Sequence, residues 1–263
     1  MADSTLPRSP FAGAVYFDDG APLRPIAPDE LARILQAHAL YQESKQQSGK
    51  RANLDATELA GKSFAGMKLW HIRMQRADLA GADFAGADLR RAILIGATLQ
   101  RSRLAGADVT RGRLNGINLT DADCQGVCMA EADLEFAIMA NSDFRDANFR
   151  DADMSSVILD AADLSGADLR RVNLRGASFQ DTRLDGADLR GARMGGVILK
   201  HASFNGADLR GAYLRVAKFH HTDLSGADLR DAEGLTKEQI SHTILDAHTR
   251  LPLDLITEHE DGE

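Results

Sequence analysis

The chain has 263 residues, a net charge of −8, 5% aromatic residues and two cysteines. No segment approaches the roughly 18 apolar residues that a membrane helix needs, and the first residues lack the pattern of a signal peptide. Two cysteines are also too few for a disulfide framework or a zinc site. These features favour a cytoplasmic protein that does not enter a membrane.

The first 51 residues form two segments. Residues 1–27 hold four of the six prolines, so we predict an irregular N-terminal arm. Residues 28–51 are predicted to contain a helix, over 28–47, and a linker. Pro28 suits a first helical turn, and one face carries Leu31, Ile34, Leu35, His38 and Tyr41. We expect that face to cover the first coil of the next segment, with His38 as part of the packing rather than a metal ligand.

Residues 52–231 follow a strict five-residue period. From Leu54 to Leu229, every fifth residue is large and apolar with the exceptions of Val109 and Cys124, which gives 36 positions without a break in phase. A small residue, most often Ala, stands two positions earlier, Asp or Asn often lies between, and Gly is frequent two positions later. The unit is A-(D/N)-L-x-G, a period that fits neither a helix nor a strand.

This unit predicts a short extended segment followed by a corner. Residues two apart on an extended segment point the same way, so the Ala and Leu positions face inward and the residue between them faces out. Glycine suits the corner because it tolerates unusual backbone angles. Four units close a coil of 20 residues, and nine stacked coils give a rod about 43 Å long at about 4.8 Å per coil.

The segments ADLAGADFAGADLRRA at 77–92 and GADLRGAYL at 206–214 resemble the pentapeptide-repeat family. The resemblance covers about two thirds of the chain, residues 52–231. It implies an all-β solenoid, a right-handed quadrilateral β-helix, here with an N-terminal capping helix and a short C-terminal helical cap.

The chain ends with a predicted cap and an acidic tail. Thr236 and Gln239 have the spacing of a capping box, so a short helix is expected within the cap at 232–255. Residues 256–263 are predicted to be a disordered tail.

Most polar residues of the repeats are predicted to form a solvated surface without a binding or catalytic role. Two parallel ladders that neutralise each other are predicted, one of Asp168, Asp188, Asp208 and Asp228 and one of Arg170, Arg190, Arg210 and Arg230. Cys124 is expected to point inward and Cys128 outward. Although His201, His220 and His221 lie near one another, no acidic or thiol partner is evident beside them, so we expect no metal site and no cofactor.

Charge along the rod is banded. Residues 51–120 sum to +5, residues 121–165 to −9 and residues 166–230 to +4. We call residues 121–165 the waist. Because the repeats are neutral overall, the excess acid of the chain belongs mainly to its C-terminal segment.

Apolar residues at positions predicted to face water mark a candidate partner site. Ile93, Ile138, Ile158 and Ile198 occupy the outward position, and the last three share one face because their spacing is 20 and 40. Phe136 stands at a corner where Gly is usual. An apolar cluster with a charged rim is typical of an interaction surface. The predicted site contains Phe136, Ile138, Ile158, Ile198, Glu135, Asp146, Asp151 and Asp160.

Two functions follow as hypotheses. The first is a scaffold or adaptor without catalytic activity that binds an unidentified protein partner or itself, as a homodimer, through the faces of a rigid rod. The second comes from the resemblance, since some family members mimic B-DNA and bind type II topoisomerases, which confers quinolone resistance. An enzyme is not expected, because no nucleophile, base and orienting group stand out. No basic stripe covers a whole face, so direct binding of nucleic acid is not expected either.

Overall fold

The computed structural model describes residues 22–256, so the predictions for residues 1–21 and 257–263 lie outside the described part. Parallel bridges join each outward residue to the residue 20 positions later, as Asn53 is joined to Arg73 and Ile138 to Ile158. These bridges form four columns, which we name ladder 1 (Asn53 to Glu233), ladder 2 (Glu58 to Lys218), ladder 3 (Ser63 to Ile244) and ladder 4 (Lys68 to Arg250). Because a turn follows every three extended residues, the bridges remain isolated and no longer strand forms within residues 22–256.

The chain turns a corner between successive ladders, and we name each edge after the two ladders it joins. Coils are numbered from coil 1 (residues 52–71) to coil 9 (residues 212–231). Every fifth residue from 56 to 231 has a positive φ, and 16 of these 36 residues are glycine. A hydrogen bond such as Ala137 N to Leu134 O, at 2.9 Å, closes most of these turns. A positive φ at the third residue only is the signature of a type II turn.

The interior confirms the predicted phase. The large apolar residues from Leu54 to Leu229 are buried, and so are most of the small residues two positions before them. Aromatic rings stack along the rod, with Phe64 and Phe84 at a centroid distance of 4.8 Å. Where Ser or Thr replaces the inward Ala, its hydroxyl donates to a carbonyl oxygen, as Thr182 Oγ1 does to Leu159 O at 2.8 Å. The buried hydroxyl therefore keeps a hydrogen-bond partner.

Helix α1 spans Pro28–Glu43 and lies against the first coil. It is shorter than the predicted 28–47, because the chain leaves the helix at Ser44 and takes positive φ values at Lys45 and Gln46. Leu31 and His38 are buried, and Ile34 and Leu35 pack against the core. Ahead of the helix, Arg24 forms a parallel bridge with Thr57, so part of the predicted irregular arm extends ladder 2 by one bridge.

Two short helices follow the repeats. Helix α2 spans Lys237–Ile240, and the predicted capping box is present between Thr236 and Gln239. The Gln239 side chain also donates to the carbonyl oxygens of Leu214 and Ala217, at 3.1 and 2.9 Å. Helix α3 spans Leu253–Ile256; the sequence did not predict it, and it includes Ile256, the first residue of the predicted disordered tail. Between these two helices, Ile244 and Arg250 extend ladders 3 and 4.

Candidate functional site

Ladder 2, with the two edges that flank it, forms the surface we call face 2. Ile138 and Ile158 are bridged neighbours on this ladder, and Ile198 lies two coils beyond Ile158. The predicted shared face is therefore present. These side chains are half-buried rather than fully exposed, because each outward residue has neighbours in the coils above and below it. Ile93 is also half-buried, but it lies on ladder 1.

Phe136 lies on edge 1–2, beside Ile138, and is 37% exposed. Its φ of 61° is in the left-handed region, where a residue with a side chain costs about 1–2 kcal/mol. Of the 20 corner residues that bear a side chain at a positive φ, Phe136 and Val216 are the two large apolar ones. Phe136 thus combines an unfavourable backbone conformation with an exposed apolar ring.

Carboxylates flank this apolar group on both sides. Glu135 precedes Phe136 on edge 1–2, and Asp160 lies on edge 2–3. Asp160 accepts hydrogen bonds from Ser178 Oγ at 2.6 Å and from the Gln180 backbone nitrogen at 3.0 Å. Neither carboxylate has an ion pair within residues 22–256, so both leave negative charge at the borders of face 2.

Two residues of the predicted site lie elsewhere. Asp146 is on edge 3–4, diagonally across the coil from Phe136, and Asp151 is on edge 4–1. Asp151 forms an ion pair with Arg171 at 2.5 Å, which holds the pKa of its carboxyl below the usual range. The prediction grouped these residues by position along the chain, whereas the 20-residue coil places them on other sides of the rod.

Arginines neutralise much of the waist away from face 2. Four pairs link a waist carboxylate to an arginine in the same or an adjacent coil: Asp143 with Arg145, Glu131 with Arg111, Asp123 with Arg103 and Asp163 with Arg183. The net charge of the waist therefore overstates its free negative charge. Within residues 22–256, six waist carboxylates have no ion pair, and three of them, Asp121, Glu135 and Asp160, lie on face 2.

The sequence interpretation missed a second apolar group on the same side of the rod. Val216 occupies the same column of edge 1–2 as Phe136, four coils further on, with a φ of 53° and 69% exposure. Tyr213 is close by on ladder 1 and is 37% exposed. The signal that singled out Phe136, a large side chain where Gly is usual, would also have identified Val216.

The predicted Asp and Arg ladders on ladder 4 are confirmed. Arg190 Nη2 lies 2.6 Å from Asp188 in its own coil, and Arg190 Nε lies 3.6 Å from Asp208 in the next. Hydrogen bonds from the arginines lower the pKa of Asp168, Asp188, Asp208 and Asp228. This side of the rod is therefore internally neutralised.

The remaining polar candidates of the sequence are its two cysteines and a cluster of histidines. Cys124 is buried, which raises the pKa of its thiol, and Cys128 is half-buried on ladder 4. The rings of His201 and His221 lie 5.7 Å apart. Contrary to the sequence expectation, an acidic residue lies beside them, since His201 Nδ1 is 3.2 Å from Asp181 in the preceding coil. Across the described part of the chain, no group of three potential ligands could hold a metal ion.

The family profile described as Pentapeptide repeats (8 copies) matches residues 72–116, 97–135, 128–166, 158–196 and 192–231. These matches cover more than half of the chain. The chain therefore belongs to the pentapeptide repeat family, and its repeats form the right-handed quadrilateral β-helix that the sequence resemblance implied.

Several solved structures are similar to this chain. HetL, a pentapeptide repeat protein involved in heterocyst differentiation regulation in the cyanobacterium Nostoc sp. strain PCC 7120, is 26% identical, with 86% of this chain and 94% of HetL covered and a TM-score of 0.36. QnrB1, a plasmid-mediated fluoroquinolone resistance protein, is 20% identical, with 75% and 92% covered and a TM-score of 0.30. A pentapeptide repeat protein of the Arabidopsis thaliana thylakoid lumen is 29% identical, with 37% and 65% covered and a TM-score of 0.29.

No curated protein sequence matches the chain significantly. Within residues 22–256, no helix has the length and apolar character needed to cross a membrane.

Proposed function

We propose that this protein is a non-catalytic interaction scaffold or adaptor that binds a protein partner through face 2. The observation that carries the proposal is Phe136, an exposed aromatic ring held at a backbone angle that favours glycine. It lies beside Ile138 and Ile158 and between the carboxylates of Glu135 and Asp160. An aromatic anchor with apolar neighbours and a polar rim is the usual anatomy of a binding site.

The rigidity of the rod supports this role. Each coil bonds to the next through four ladders, so face 2 is presented in a fixed shape and little conformational entropy is lost on binding. Repeat proteins commonly use such extended, preformed surfaces.

The experiment is an affinity capture from cell lysate with the wild-type rod and the double variant Phe136→Glu with Ile158→Glu. We expect a specific protein to be retained by the wild type and lost by the variant, with circular dichroism unchanged. The matched control is Asp146→Lys, an exposed edge residue of the same coil on the opposite side of the rod. Capture that persists in the double variant, or is lost equally in the control, would refute the proposal.

The alternative is mimicry of DNA toward a type II topoisomerase. The acidic waist favours it, but the repeats are neutral overall and arginines pair with many of the waist carboxylates. A DNA mimic needs a continuous negative surface to compete for a phosphate-binding groove. Inhibition of gyrase supercoiling by the wild type, abolished by Glu135→Arg, would favour this alternative.

A further inference from the structure

On face 2, the charged side chains without an ion pair are acidic in coils 5 and 6 and basic in coils 8 and 9. In coils 5 and 6 the flanking residues Glu135 and Asp160 are acidic, whereas in coils 8 and 9 Lys200, Arg215 and Lys218 are basic. None of these five side chains takes part in an ion pair within residues 22–256. On ladder 4, by contrast, arginines neutralise the aspartates from Asp168 to Asp228.

Apolar residues of face 2 also fall into two groups. Phe136, Ile138 and Ile158 lie in the acidic half, and Ile198 and Val216 lie in the basic half. The two groups are equally far from coil 7, because Phe136 is two coils below it and Val216 two coils above, and Ile158 and Ile198 are each one coil away.

From this arrangement we propose that face 2 binds a second copy of the chain, as an antiparallel dimer with its two-fold axis at coil 7. The inference rests on the proposed function and names the partner of the same surface. A two-fold axis that crosses the face at a right angle to the rod keeps ladder 2 opposite ladder 2 and reverses the order of the coils. Coil 5 then faces coil 9 of the second copy, and coil 6 faces coil 8.

This single register pairs four of the apolar residues and four of the charged residues of face 2. Phe136 faces Val216 of the second copy, and Ile158 faces Ile198. Glu135 faces Arg215, and Asp160 faces Lys200. Every contact away from the axis occurs twice, since the interface is isologous. The ladder position at the axis is Ser178, which is buried and donates a hydrogen bond to Asp160 of its own chain.

Ladder 4 has no such complementarity. In the same register Asp168 would face Asp208 of the second copy, and Asp188 would face itself. Self-matching of charge and apolar surface is therefore a property of face 2 and does not follow from the repeat alone.

Three residues oppose the dimer and limit its strength. Lys218 faces the apolar Ile138 of the second copy. Arg175 and Asp181 lie at the height of the axis and approach their own copies. The contact spans five coils, about 24 Å, which puts it at the small end of specific interfaces. We therefore expect a weak, reversible dimer that high salt dissociates, and Arg175→Gln should strengthen it.

The test is sedimentation equilibrium of the purified full-length chain over a range of protein concentrations, with charge reversals of one pair. Glu135→Arg and Arg215→Glu should each raise the dissociation constant about tenfold or more, because each places like charges together twice. An equimolar mixture of the two variants should recover wild-type affinity, since every reversed residue then faces its complement. Combining both changes in one chain should recover it as well.

A control and two contrary outcomes complete the design. Asp146→Arg, on the opposite edge, should leave the dimer unchanged, and all variants should keep the circular dichroism spectrum of the wild type. A wild type that is monomeric at every concentration overturns the dimer, yet face 2 could still capture another protein in the lysate experiment. Weakened single variants that do not recover on mixing overturn the antiparallel register.

Discussion

Phe136 and Val216 occupy one column of edge 1–2, four coils apart, with φ values of 61° and 53°. Ser156 and the glycines at 176 and 196 stand between them in the same column. Both large side chains are exposed, so packing inside the rod does not compensate for their backbone conformation. We interpret the two residues as the anchors of a binding surface.

Replacing either residue with glycine should stabilise the rod. For Phe136→Gly and Val216→Gly we expect an increase of about 1 kcal/mol each in the free energy of unfolding, because glycine adopts a positive φ without steric cost. Urea unfolding followed by circular dichroism measures the change. A decrease would mean that the side chains stabilise the fold by contacts other than those described above.

The same glycine variants should weaken binding while the fold becomes more stable. Opposite effects on stability and on binding separate a functional side chain from a structural one.

A charge in the interior should disrupt the stack. Leu169 is fully buried, so Leu169→Asp places a carboxylate among apolar side chains, and we expect a loss of about 3 kcal/mol or more in the free energy of unfolding. Thermal unfolding measures it. Leu169→Met, which conserves volume, is the control and should cost less than about 1.5 kcal/mol. Equal stability of Leu169→Asp and the wild type would contradict the assignment of inward positions.

Acidification should loosen the contact between α1 and the first coil through His38. Its Nδ1 accepts a hydrogen bond from the Ala52 backbone nitrogen at 3.2 Å, which requires a neutral ring on that side. Burial, with Arg51 and His71 nearby, lowers the pKa of His38 below the ordinary value of 6.5. The unfolded chain therefore takes up a proton at a higher pH than the folded chain, and stability falls as the pH drops below about 6.5.

The matched variant for this titration is His38→Asn, which keeps a polar side chain and does not titrate. We expect the stability difference between wild type and variant to shrink between about pH 7.5 and pH 5.5. Unfolding in urea at several pH values measures it. A difference that is independent of pH would contradict the role of His38.

The Asp ladder offers a direct check of the electrostatics. The hydrogen bond from Arg190 is the largest cause of the lowered pKa of Asp188, so Arg190→Gln should raise that pKa toward 3.8. The stabilisation by this pair is present above pH 3.8 and is lost as the pH falls through the lowered pKa. Carboxyl chemical shifts in a pH titration measure the change. Arg175→Gln is the control, and an equal shift there would argue against a local cause.

Much of the fold was predictable because one short period fixes it. The unbroken phase from Leu54 to Leu229 identifies, from the sequence alone, the inward residues, the 20-residue coil and the ladders that contain Asp188 and Arg190. The spacing of Thr236 and Gln239 also predicted the capping box. The early end of α1 was missed, because Lys45 and Gln46 adopt a positive φ that neither residue type favours.

The candidate site was predicted only in part. The period placed Ile138, Ile158 and Ile198 together, but Asp146 and Asp151 were added from linear charge, which ignores the side of the rod. The ion pair between Asp151 and Arg171 depends on contact between successive coils, which a sum of charges along the chain does not register. Assigning each charged residue to its edge of the rod excludes Asp146 and Asp151 from the site and includes Arg215.

The most direct test of face 2 as the binding surface is site-specific photo-crosslinking in cells. A photoreactive phenylalanine analogue is introduced at position 136 or, as the control, at position 146 on the opposite edge of the same coil, where φ is nearly equal. We predict a discrete crosslinked protein species, whether a second copy of the chain or another partner, from position 136 and none from position 146. No species from position 136, or the same species from both positions, would contradict the account.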